Sequence, residues 1–349
     1  MNLSQFRLWA CAFAILAANA LSAAAQGNDF NTPGNILIAD QYNNRVIEVN
    51  PDNHKVVWHF GNQSSTPGPH SVVAPNDAQR VGPFTLIAGT GAPQGAEPAC
   101  SGASGCQDNR VLLVDPCGQI IWEYGQAGVP GSGWNQLNTP VQNTWLPNFH
   151  ILITDQGNDR VIEVDLDKNI VWQYGQTGVA GDGANQLNSP NSAELLQNGH
   201  ILIADESNNR VIEVDRMRNI LWSYGCASCS QLNGAAFASR LPDGNTLITD
   251  SNNNRILIVT PDENVVFTYY TNARPGSVSS PLPTRAVQLK NGNILISDQY
   301  NMQVIEIDQA QNIVFSQGMI GVAGNTFDML NGPYDAKVIG DYTGLTPPF

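Results

Sequence analysis

Short runs of apolar, β-branched residues recur along the chain at near-constant spacing. Gly34-Asn-Ile-Leu-Ile-Ala-Asp40, Phe84-Thr-Leu-Ile-Ala-Gly89 and Phe149-His-Ile-Leu-Ile-Thr-Asp155 share one pattern with three later segments. Those are Gly199-His-Ile-Leu-Ile-Ala-Asp205, Gly244-Asn-Thr-Leu-Ile-Thr-Asp250 and Gly292-Asn-Ile-Leu-Ile-Ser-Asp298. Their last positions lie 49, 66, 50, 45 and 48 residues apart. A turn follows each, then Arg-Val-Ile-Glu-Val or a near relative, as at Arg45, Arg160 and Arg210. Next comes an apolar segment with an aromatic in a fixed place: Trp58, Trp122, Trp172, Trp222, Phe267 and Phe315. Runs of this length and type, bounded by Asn, Gly and Asp, predict strands, here called b, c and d. A further strand, a, precedes b and is clearest at 140–146, 190–196 and 283–289. Four strands per repeat of this length predict an all-β fold, a six-bladed β-propeller. Residues 330–339 read as a strand a with no b, c or d after them, so they are expected to complete the first blade and close the ring.

Residues 190–215 join a strand-a proline to Gly199-His-Ile-Leu-Ile-Ala-Asp205 and Asn208-Asn-Arg-Val-Ile-Glu-Val-Asp215. This pattern resembles the NHL repeat, and the resemblance extends over nearly all of 26–349. It implies a single six-bladed propeller domain. It does not imply one function, because that repeat serves scaffolds, ligand binders and enzymes. The Asp165-to-Trp172 spacing more distantly resembles quinoprotein-type propeller repeats, without their Ala-x-Asp-x-x-x-Gly-Lys context.

Composition narrows the partners. The formal charge is −14, with 16 basic against 30 acidic side chains. Such a chain offers no electrostatic footprint for nucleic acid or an anionic membrane. Arg7, the apolar run 8–21 and the small residues at 22–25 predict a secretory signal peptide over 1–25, cleaved before Gln26. The run is too short to span a bilayer, and Cys11 within it lacks a lipobox. An exported protein, periplasmic or extracellular and expected to be monomeric, can hold disulfides. Cys100 with Cys106 and Cys226 with Cys229 are the candidate pairs, which leaves Cys117 over.

Asp and Arg recur together in Asp40/Arg45, Asp155/Arg160, Asp205/Arg210 and Asp250/Arg255. Groups that follow the repeat are expected to be structural, and groups that break it to carry function. Gly89 takes the Asp place in blade 2, and Gln303 takes the Arg place in blade 6. Blade 2 also carries an insertion at 90–109. The d–a loops at 126–136 and 176–186, echoed at 321–325, suggest a polar rim edged by Trp134. Two residues after the strand-a proline position, the channel is expected to receive Asp77, Gln142, Ser192, Phe237, Arg285 and Asp335, with Glu194 and Lys337 further along.

Of five histidines only His70 falls in a d–a loop, so a three-ligand zinc site is not expected. No nucleophile elbow, P-loop or dinucleotide fingerprint occurs. The reading that follows is a binding module for a protein, peptide or glycan on the loop face, with no cofactor. The alternative is a calcium-dependent hydrolase or lyase, lactonase- or esterase-like, with Asp77 and Asp335 holding the ion in the channel and Glu194 beside them. If Arg285 fills the axis, that alternative fails.

Overall fold

The structure, a computed structural model, describes residues 29–348. The leader expected at 1–25 lies outside them. Six four-stranded antiparallel sheets form the blades of a propeller. Blade 1 is assembled from both ends of the chain. Its inner strand a, Pro333–Val338, pairs with Ile36–Asp40, which continues to Arg45–Val49 and Val56–Phe60. Ile38 faces Ala336 in that closing pair.

The repeat positions explain why each strand lies where it does. Strand b is buried along its whole length in most blades, as in Ile151–Asp155 and Ile201–Asp205. Alternate side chains therefore pack against both neighbouring blades, which is why these segments read as continuous apolar runs. Strand b ends at the Asp and a short 3₁₀ turn follows. At its close, Asn44, Asp159, Asn209, Asn254 and Met302 adopt a left-handed conformation. In every blade but the fifth a glycine ends or follows strand d, because the backbone there passes close to that turn. At Gly175, with φ of +95°, a Cβ would lie 2.3 Å from the Asp159 carbonyl oxygen.

The aromatic of strand d joins one blade to the next. Trp58 Nε1 donates to the Pro116 carbonyl at 3.1 Å, and Trp122, Trp172 and Trp222 donate to Leu166, Arg216 and Pro261. The blade-2 insertion is not a loose loop. Strands Phe84–Ala92 and Cys106–Val114 run on as a hairpin above the face, topped by the Cys100–Cys106 disulfide. A second disulfide joins Cys226 and Cys229, and Cys117 is a free, exposed thiol. No helix among the described residues is long and apolar enough to cross a membrane.

Candidate functional site

Side chains two residues past the strand-a proline do face the axis, and most of them bind backbone. Asp335 Oδ2 accepts the amide of Ala78 at 3.1 Å, and Asp77 Oδ2 accepts that of Asn143 at 3.3 Å. Gln142 accepts Ala193 N at 2.9 Å, and Ser192 accepts Ala238 N at 3.3 Å. Each of these groups caps the inner strand of the following blade, so the polar ring stitches neighbours together. Phe237 and Arg285 break the series. The Arg285 guanidinium lies over the Phe237 ring, 4.2 Å from its centroid.

Arg285 also fills the axis. Its Nη2 donates to Asp77 Oδ1 at 2.8 Å, and its Nε lies 2.8 Å from Asp335 Oδ1. Lys337 Nζ reaches both carboxylates, at 2.5 Å and 2.6 Å. Burial opposes the charge on Arg285, but Asp335 and Asp77 more than offset it. Burial pushes Asp77 up to about 6, with Lys337 and Arg285 pulling the other way. Asp335 also loses solvation, yet the same two cations hold it below the ordinary carboxylate range. Two carboxylates already facing two cations do not suit calcium, whose site needs oxygens converging on one free point. The donor set does not fit the ion.

Glu194 turns away from this plug. Its Oε1 accepts Gln142 Nε2 at 2.7 Å, and its Oε2 accepts the amide and hydroxyl of Thr346 at 2.9 Å and 2.6 Å. Thr346 belongs to the tail after the closing strand. That tail runs beneath the ring, with Gly344 against the blade-5 residues Ser239 and Arg240, and it seals the lower mouth. Only about 20 Å³ of cavity survives beside Gln79, Lys337 and Tyr342, roughly the space of one water. At the upper mouth Tyr334 of blade 1 reaches across to Asn191 of blade 4, with OH to Nδ2 at 2.8 Å. This contact spans the upper mouth from blade 1 to blade 4.

Open space lies instead on the loop face. A cleft of about 420 Å³ is lined by Tyr42, Tyr300, Met302, Asn331 and the insertion residues 93–96. Its volume falls in the range of small-ligand sites. Tyr42 and Tyr300 occupy equivalent places in the b–c turns of blades 1 and 6, and their hydroxyls are 3.5 Å apart. Beneath them Gln299 donates to Gln41 and Gln41 to Asn76, each at 2.7 Å. No charged side chain lines the cleft.

None of the channel candidates contributes to this cleft. Asp77, Arg285 and Asp335 meet in the plug, Gln142 and Ser192 cap strands, and Glu194 holds the tail. Trp134, although 68% exposed, is not among the lining residues. The tyrosines were detectable as a broken repeat, because blades 3, 4 and 5 place Gly157, Ser207 and Asn252 where blades 1 and 6 have Tyr.

The breaks at Gly89 and Gln303 are repaired in space. Asp108, on strand c, supplies the missing carboxylate of blade 2 and pairs with Arg110 at 2.6 Å. Arg274, from a d–a loop, supplies the missing guanidinium of blade 6 and reaches both Asp298 and Gln303. These positions preserve the structural pair and do not mark a site.

No protein-family model and no curated protein matches the chain. Solved structures do. A protein of unknown function from Bacteroides caccae aligns with a TM-score of 0.58 and 15% identity, over 83% of this chain and 97% of its own. A streptogramin B lyase aligns at 0.52 and 15% identity, over 81% and 79%. A chain of a nidogen/laminin complex aligns at 0.53 and 10% identity, over 81% and 92%. At these identities the likeness shows the fold, a six-bladed β-propeller, and leaves the NHL relationship a resemblance of sequence.

Proposed function

We infer that the chain is an exported binding module that holds a peptide, protein or glycan on its loop face. The observation that carries this reading is the uncharged cleft between Tyr42, Tyr300 and the hairpin of blade 2. Tyrosine faces with amides around them suit polar, uncharged surfaces such as sugar rings or extended peptide. The plugged axis supports the same reading, since Asp77 and Asp335 are already paired with Arg285 and Lys337. Two disulfides accord with an oxidising compartment and hence with export. The nidogen/laminin neighbour comes from a protein–protein complex, a setting in which this fold occurs.

The test is binding of glycan and peptide arrays by protein beginning at Gln26. A ligand held in the cleft loses at least tenfold in affinity with Tyr42→Ala/Tyr300→Ala and none with Trp134→Ala, at unchanged Tm. Binding that survives the double variant removes the cleft from the proposal. N-terminal sequencing of the secreted product tests the leader, with Gln26 expected as the first residue.

A further inference from the structure

Among the described residues, nearly every fully buried acid has a cation. Asp40, Glu48, Asp77, Asp108, Asp155 and Asp205 do, and the same holds for Glu163, Asp250, Asp298 and Asp335. The exceptions are Glu194, saturated by Gln142 and Thr346, and Glu97. A buried carboxylate without a cation is costly, so the places where the molecule tolerates one carry information. Glu97 stands in the hairpin directly after the residues that wall the cleft. Its Oε2 accepts Asn44 Nδ2 at 2.8 Å and Ser65 Oγ at 2.7 Å, while its Oε1 is buried and has no partner.

A second acid without a cation lies on the far side of the same tyrosines. Glu206, half-buried in the b–c turn of blade 4, uses only Oε2, which accepts Asn191 at 2.8 Å and Gln156 at 3.1 Å. Asn191 also donates to the Tyr334 hydroxyl at 2.8 Å. Tyr334 therefore stands between Glu206 and the Tyr42–Tyr300 pair. Burial raises the pKa of Glu206, and no charged neighbour offsets it. Burial likewise holds the Tyr42 and Tyr334 phenols well above their usual range, with Glu97 adding to the first and Glu206 to the second. The upper mouth thus combines three aromatic rings and two acids, with no cation paired to either acid.

That combination is the complement of a positively charged nitrogen. Aromatic faces attract a cation through their quadrupole, most strongly where water is displaced, and a carboxylate adds a charge-assisted hydrogen bond. We propose that the upper mouth recognises an organic ammonium group on the ligand, with Glu206 Oε1 as its contact, Tyr334, Tyr42 and Tyr300 as its aromatic wall, and Glu97 supplying negative potential from behind Tyr42. The assignment rests on the cleft reading above: the uncharged body of the ligand lies in the cleft and its ammonium head lies toward Glu206.

The test uses matched pairs titrated calorimetrically into protein beginning at Gln26. One pair is n-butylammonium against n-butanol. The other is the peptide Gly-Gly-Lys-Gly-Gly, with blocked termini, against its Nε-acetylated form. The charged member of at least one pair binds at least tenfold tighter than its neutral partner, and that preference shrinks as NaCl is raised. Preference in the peptide pair alone identifies a lysine-bearing chain as the source, and preference in both identifies the ammonium group itself. Glu206→Gln abolishes the preference at unchanged Tm. If that variant misfolds, the salt dependence and the acetylation contrast on wild-type protein carry the decision. Charged and neutral members binding alike overturn the ammonium assignment, and so does a preference that survives Glu206→Gln. If that equal binding is lost in Tyr42→Ala/Tyr300→Ala, the cleft stands and only the ammonium head fails. Absence of binding by every probe overturns the ammonium assignment.

Discussion

Moving a carboxylate from one strand to its neighbour requires room, and Gly89 supplies it. A Cβ at Gly89 would lie 2.7 Å from the Asp108 carboxylate, which accepts the Val73 amide at 2.7 Å. Gly89→Ala is therefore expected to cost about 1–3 kcal/mol by overpacking, measured by urea unfolding. Gly102→Ala, in open space, should cost little. Asp108→Asn would leave the buried Arg110 only the half-exposed Glu123 carboxylate at 3.5 Å, and a loss of about 2–4 kcal/mol is expected. The axial ring was countable from the strand-a prolines because strand side chains alternate with a period of two. Lys337 joined it for that reason, two residues after Asp335. Tyr42 and Tyr300 do not stand out as a site, because they sit in turns whose other members are structural. Glu97 was hidden because the path of a 20-residue insertion cannot be traced from its composition.

Adjacent blades differ in how they are fastened. Indole donors cross four of the seams, but Phe267 and Phe315 have no N–H to offer the next blade. Phe315 instead stacks on His54 at 5.4 Å. Replacing Trp172 with Phe should remove one hydrogen bond worth about 1 kcal/mol, readable as a shift in urea midpoint. Native-state hydrogen exchange should find strand d of blades 5 and 6 opening before strand d of blades 2 to 4. Uniform protection around the ring would count against a role for the indoles. The strands themselves were legible because every blade repeats the same apolar runs and turn residues. The hairpin at 90–109 looks like an insertion in a turn, because Gly, Ala, Pro and Ser in that stretch hide the pairing of Ala92 with Cys106.

Over the whole molecule, the buried acids set an unusual response to pH. Desolvation raises Asp40, Asp108, Asp155 and Asp205 above the ordinary value, and Asp298 to about 6. An acid whose folded pKa exceeds its unfolded one holds its proton longer in the native state. Its stabilising contribution is full below the unfolded value and is lost as pH rises through the folded one. Glu163 and Asp335, shifted down, act in the opposite sense and lose their contribution only at lower pH. Self-repulsion from a charge of −14 also relaxes in acid. Tm should therefore peak near about pH 5 and decline toward pH 7.5; a continuous rise from pH 5 to 7.5 would refute this. Adding EDTA and then calcium should leave Tm unchanged, because Arg285 and Lys337 already occupy the carboxylates that would hold the ion. A calcium-dependent rise would reopen the channel reading.

The shared blade has a consequence in time. Ile38 is made early among the described residues, and its partner Ala336 about 300 residues later. At about 5–20 residues per second, roughly 300 residues separate them by on the order of 15–60 s. The circle cannot shut on a ribosome-bound fragment, because the strand that shuts it does not yet exist. For a polypeptide that leaves the cytoplasm as proposed, the ring stays open until Pro333–Val338 has been synthesised.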